Sequence, residues 1–106
     1  MKTRLFVSLA AALMVMLSVP TSVHAVGPGK QCGGFPGIPC DPGLFCQQKP
    51  GTCRIIDMSG ICTRIPKICP RIYRPVCGCD NKTYSNDCER QAAGVSKLHN
   101  GKCRAY

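Results

Sequence analysis

The sequence predicts a small disulfide-rich α+β fold preceded by a Gly/Pro/Cys-rich module. Three observations carry this expectation. All ten cysteines of the 106-residue chain fall after residue 31, a density well above the level that marks a disulfide scaffold. Glycine and proline crowd the first cysteine cluster, which excludes long helices and keeps strands short. In the second cluster a hairpin signature is followed directly by a helix-capping signature.

Taken in order, the chain opens MKTRLFVSLAAALMVMLSVPTSVHA. Lys2 and Arg4 precede an apolar run from Leu5 to Val19, and Val23-His24-Ala25 has the small-residue pattern of a signal-peptidase site. A membrane anchor is the alternative, but a spanning helix needs roughly 20 apolar residues. Residues 1–25 are therefore expected to be a signal peptide cut after Ala25, which makes the product secreted and extracellular. The remaining 81 residues keep twelve of the fourteen Lys and Arg and all five acidic residues, a net of +7. A chain this short buries too little apolar surface for a large core, and secretion supplies the oxidising compartment that disulfides require. An even count of cysteines predicts five bridges and no free thiol.

Zinc is the rival use of cysteine. It takes pairs spaced two to four residues apart with further Cys or His. Here the closest pair is Cys77-Gly78-Cys79, and His99 is the one histidine after residue 25. No metal and no cofactor are expected. His99 reads as a surface residue with no catalytic role, so the chain is not expected to be an enzyme. The basic residues are scattered singly, with no run and no aromatic-interleaved stripe. They read as solvated surface rather than as a nucleic-acid or membrane interface, although a basic antimicrobial or toxin-like action stays open as an alternative.

Residues 26–61 form the first module with its connector. Cys32, Cys40, Cys46 and Cys53 allow three connectivities. The interlaced pair Cys32–Cys46 and Cys40–Cys53 is preferred. CGGFPGIPCDPGLFC bears a faint resemblance to Gly/Cys-rich modules of secreted growth-factor-binding proteins. Such a module is a spacer, a second binding surface, or a cap that steadies Cys62.

Residues 62–106 form the second unit. Arg74 to Cys79 reads as a short strand, Asp80-Asn81-Lys82 as a turn, and Thr83-Tyr84 as the return strand, giving a hairpin over 76–84. Asn86 followed three residues later by Glu89 is a capping-box arrangement. Helix formers follow, and Gly94 supplies the stop. A helix over about 86–93 is expected, then a third strand over 95–98. Asn81-Lys82-Thr83 spells a glycosylation sequon, but a tight turn is the preferred reading.

CPRIYRPVCGCDNKTYSNDC, residues 69–88, has Cys, seven residues, Cys, six residues, Tyr, three residues, Cys. With PVCG at 75–78, Asn86 and the closing GKC at 101–103, it resembles the Kazal-type serine protease inhibitor family. The resemblance implies a Kazal-like domain, a short three-stranded sheet plus one short helix. It also implies bridges Cys69–Cys88 and Cys77–Cys103, which leave Cys62 and Cys79 for each other. One departure stands out. The family places a cysteine in the helix with two or three residues between it and Cys88, and this chain has Gln91 and Ala92 there, with Cys79 as an extra.

By the same resemblance the chain is expected to inhibit trypsin-like serine proteases, binding as a substrate does through a disulfide-clamped reactive loop and acting as a monomer, with Arg71–Ile72 as the scissile bond. Arginine suits an S1 pocket with an aspartate at its base. Pro70, Tyr73 and Arg74 would join Arg71 and Ile72 against the protease. Asn86 would support the loop through side-chain hydrogen bonds to the carbonyls flanking the scissile bond. A non-inhibitory extracellular binding module on the same scaffold is a further alternative.

Overall fold

The computed structural model describes residues 24–104. The expected signal segment, apart from His24 and Ala25, lies outside the described residues. No helix among the described residues is long and apolar enough to cross a membrane.

Two small antiparallel sheets make up the fold. The first contains β1 (Gln31–Gly33), β2 (Leu44–Gln48) and β3 (Ser59–Arg64), in the order β1-β3-β2. Its strands are short because glycines punctuate them. Gly33 and Gly34 both adopt positive φ, 66° and 72°, a region that costs other L-residues energy. In β3, Gly60 is required by proximity. A Cβ there would stand 2.6 Å from the Gln47 carbonyl oxygen and 2.9 Å from Cys46 Sγ.

The second sheet contains β4 (Val76–Gly78), β5 (Thr83–Tyr84) and β6 (Lys97–Asn100), in the order β5-β4-β6, with the helix α1 (Asp87–Ala92) between β5 and β6. This is the three-stranded sheet and single short helix that the family resemblance implies. β4 is central and buried along its whole length. It starts at Val76 rather than Arg74 because Pro75 has no N–H for the ladder, while the Arg74 N–H turns to the Ser85 carbonyl at 2.8 Å. The hairpin turn closes with Asn81 at φ 62°, and Asp80 Oδ1 accepts from the Lys82 N–H at 3.2 Å. The last strand runs over 97–100 instead of 95–98. Val95 and Ser96 are engaged elsewhere: the Val95 carbonyl accepts from Arg90 Nη1 at 2.6 Å, and Ser96 Oγ accepts from the Gln48 N–H at 3.0 Å.

The apolar core is Cys32, Phe45, Cys62, Val76 and Cys77. Three of these five are half-cystines. Burying Phe45 and Val76 contributes only about 2–3 kcal/mol each, so cross-links must supply much of the stability.

Five disulfides join Cys32–Cys46, Cys40–Cys62, Cys53–Cys79, Cys69–Cys88 and Cys77–Cys103. Two expected pairs are corrected. Cys40–Cys53 does not form, and neither does Cys62–Cys79. The cause is β3. It carries Cys62 into the middle of the first sheet, opposite Cys46, where its Cα is 5.6 Å from that of Cys40. Cys53 lies beyond the end of β2, beside the second sheet, with its Cα 5.5 Å from that of Cys79. Both separations are in the range that a disulfide spans. The boundary expected between residues 61 and 62 falls inside β3, so Cys62 to Arg64 pack with the first module. Cys53–Cys79 is the covalent link between the two sheets.

Candidate functional site

Residues 65–75 connect the sheets as an extended loop without strand pairing. Proline shapes it. Pro70 and Pro75 fix their own φ, and each biases the residue before it, Cys69 and Arg74, towards extended backbone. The loop is tied at both ends and in the middle. The Ile65 N–H donates to the Gly43 carbonyl at 3.0 Å, and the Arg74 N–H to Ser85. Cys69 is bridged to Cys88 on α1, and Cys77, just past the loop on β4, is bridged to Cys103.

Asn86 supports the loop from beneath. It is 7% exposed. Its Nδ2 donates to the Pro70 carbonyl at 3.1 Å and to the Ile72 carbonyl at 2.7 Å. Its Oδ1 accepts from the Glu89 N–H at 2.9 Å, capping α1. The two loop carbonyls belong to the residues on either side of Arg71. One side chain therefore uses both amide protons on the loop and its oxygen on the helix, which leaves neither polar atom of this buried amide without a partner. The forward half of the expected capping box is made, while the Glu89 side chain lies exposed.

Above Asn86, Pro70, Arg71, Ile72, Tyr73 and Arg74 are all exposed. Ile72 and Tyr73 are 50% and 67% exposed. A shallow groove behind the loop is lined by Pro70, Ile72, Arg74, Val76 and Asn86, among others. The residues singled out from sequence thus lie together on one exposed ridge with Asn86 under it.

The surrounding polar groups stiffen this end of the fold. Tyr84 Oη donates to Asp80 Oδ2. That hydrogen bond, aided by partial burial and the charge of Asp80, pushes the Tyr84 phenol up to about 12. Asp87 accepts from Arg90 Nε at 3.1 Å and from Lys97 Nζ at 3.0 Å. Burial acts to raise its pKa, but the hydrogen bonds and charges of Lys97 and Arg90 together prevail and hold it below the ordinary carboxylate value.

Arg90 is a residue that sequence reasoning missed. It is 3% exposed, and besides Asp87 and Val95 it reaches Gln47 Oε1 on β2 at 3.3 and 3.4 Å. Nothing in the local sequence separates it from an ordinary solvent-facing helix arginine. Cys32, Cys40 and Cys62 bring their sulfurs within 4.8 Å of one another. All three are half-cystines, and a disulfide sulfur is not the thiolate that zinc takes.

A family model described as "Kazal-type serine protease inhibitor domain" matches residues 46–103. Ovoinhibitor of Gallus gallus is 39% identical over 70 residues, 51% of this chain and 14% of that protein. An ovomucoid of Struthio camelus is 45% identical over 49 residues, 40% of this chain and 91% of that protein. Serine protease HTRA4 of Homo sapiens is 34% identical over 79 residues, 70% of this chain and 14% of that protein. The chain thus spans a small fraction of ovoinhibitor and of HTRA4.

Proposed function

The chain belongs to the Kazal-type serine protease inhibitor family, and on that premise we propose that it inhibits trypsin-like serine proteases, with Arg71 entering the S1 pocket and Arg71–Ile72 as the scissile bond. One observation carries this reading above the others. The Asn86 amide holds the Pro70 and Ile72 carbonyls, at 3.1 and 2.7 Å, so the backbone is braced on both sides of Arg71 while the Arg71 side chain stays exposed.

The mechanism follows from that brace. A protease binds its substrate as an extended strand, and ordering a flexible peptide costs entropy that subtracts from affinity. Here the ordering accompanies folding, through Pro70, Pro75, the Cys69–Cys88 bridge and Asn86. The Arg71 guanidinium is a planar fork that matches a carboxylate with two parallel hydrogen bonds. Ile72, Tyr73 and Arg74 add contacts beyond the scissile bond.

The same ties slow release after cleavage. If the Arg71–Ile72 bond is cut, Cys69 holds one new end through Cys88, and Cys77 holds the other through Cys103. The new amine of Ile72 stays beside the acyl-enzyme at high effective concentration. Its attack on the acyl carbon re-forms the peptide bond and expels the serine oxygen, competing with water. Asn86 keeps both ends in register for that return. The setting proposed is extracellular, with the protein acting as a monomer.

Titration of residues 26–106, with bridges formed, against trypsin tests this. Near-stoichiometric inhibition that vanishes in Arg71→Ala is expected. Full trypsin activity at micromolar concentrations of the protein overturns it in favour of a non-inhibitory binding scaffold, or of an antimicrobial action if vesicles leak on its addition.

A further inference from the structure

We propose that the Gly/Pro/Cys-rich first module is a strut for the helix that carries Asn86, and that Arg90 is the positioning residue through which it acts. The need for a strut lies in the helix. α1 spans six residues, too few to be stable alone. Its N-cap is Asn86, so the loop brace is only as firm as the helix beneath it. The family's helix cysteine is replaced by Gln91 and Ala92, so the second bridge that the resemblance places in this helix is missing, and Cys69–Cys88 is its one covalent tie.

Arg90 takes over that function without a covalent bond. It reaches the first turn of its own helix, the segment past the helix end and the first module. Nε donates to Asp87 Oδ1 at 3.1 Å, one residue from Asn86. Nη1 donates to the Val95 carbonyl at 2.6 Å, past the helix end. Nη1 and Nη2 both donate to Gln47 Oε1 on β2 of the first module, at 3.4 and 3.3 Å. Gln91 Nε2 donates to the same oxygen at 3.4 Å. A guanidinium this buried is costly unless its protons are met, so helix and module are held together by the penalty of separating them.

The rest of the seam fixes the distance at which Gln47 presents its oxygen. The Gln48 N–H donates to Ser96 Oγ at 3.0 Å, and the Gly51 N–H to the Lys97 carbonyl at 3.1 Å. Cys53–Cys79 closes the far end. The route therefore runs from Gln47 through Arg90 and Asp87 to Asn86, and from Asn86 to the carbonyls of Pro70 and Ile72. The consequence for inhibition rests on the function proposed above; the mechanical link itself does not.

The test compares Gln47→Leu and Gln47→Glu in the protein with all five bridges intact. Leucine removes the acceptor, and glutamate keeps an oxygen at that place. Exchange of the Asn86 side-chain amide protons and of the Glu89 backbone amide is followed by NMR. In Gln47→Leu these are expected to exchange faster by roughly tenfold, the value of one hydrogen bond to a charged group. The Cys77 amide in β4 should be unchanged, and Gln47→Glu should restore wild-type exchange. Trypsin should cleave Arg71–Ile72 faster in Gln47→Leu by a similar factor. Unchanged exchange at Asn86 overturns the strut. So does equal acceleration at every amide, which would mark a general loss of stability. Because exchange needs no protease, a wild-type protein that fails to inhibit trypsin defeats the proposed function while leaving the exchange comparison to decide the strut.

Discussion

Asn86 donates a 2.7 Å hydrogen bond to the carbonyl of Ile72, fourteen residues earlier in the chain, while the oxygen of the same side chain caps α1. Loop and helix therefore share one amide, and its two ends can be cut separately. Asn86→Asp keeps the cap acceptor and removes both loop donors. Helix content should hold, while trypsin cleavage of Arg71–Ile72 should accelerate roughly tenfold to a hundredfold, for two hydrogen bonds lost. Asn86→Ala removes the cap as well and should lower stability by about a further 1 kcal/mol. Circular dichroism melts beside a cleavage time course check both, and equal cleavage rates for Asn86→Asp and wild type would refute the brace.

Specificity should follow the side chain at 71, because the backbone around it is held independently of what it carries. Arg71→Leu is expected to lose trypsin inhibition by at least roughly a thousandfold, as for a central arginine anchor. It should gain inhibition of chymotrypsin-like enzymes, whose S1 pocket is apolar. Inhibition constants against the two protease types check this. Trypsin inhibition that survives the substitution would move the specificity site to another residue, Arg74 being the next exposed arginine on the loop.

Much of this was legible in the sequence where the determinants are local. The Asn86 cap, the Gly94 stop and the turn at 80–82 depend on a few adjacent residues, and their elements appear within about two residues of expectation. The spacing from Cys69 to Cys88 likewise marked the loop and its family. What failed was long-range. Cysteine spacing groups Cys62 with the cysteines that follow it, yet β3 continues through residue 62 and carries it into the first sheet. That displacement freed Cys53 and Cys79 for each other. Gln47 and Arg90 lie 43 residues apart and meet only because the two sheets pack together, which no spacing rule encodes.

The corrected pairing makes a direct prediction. Proteolytic mapping should release peptides joined as Cys40–Cys62 and Cys53–Cys79, with none joined as Cys40–Cys53. Replacing Cys53 and Cys79 together by serine removes a cross-link with a sequence separation of 26. The expected cost is roughly 3–4 kcal/mol on the chain-entropy view, read as a lower denaturant midpoint. A midpoint within error of wild type would mean that the sheets are held by their hydrogen bonds alone.

Acid should weaken the helix seam through Asp87. Its folded-state pKa is depressed below 3.8 by Lys97 and Arg90 acting against burial. A depressed carboxylate stabilises the fold above its unfolded pKa, and the contribution disappears as pH falls through the folded value. From pH 7 to about 5 Asp87 should therefore add no pH dependence. Below about 4 its share should fade as the carboxylate protonates and releases Lys97 and Arg90. Its side chain is half exposed, so the effect is modest and screened by salt. Melting temperatures of wild type and Asp87→Asn, taken at low ionic strength, check the sign. Wild type should be the more stable at neutral pH, and the gap should close towards pH 2. A gap that stays constant down to that pH would show that Asp87 acts by packing rather than by charge.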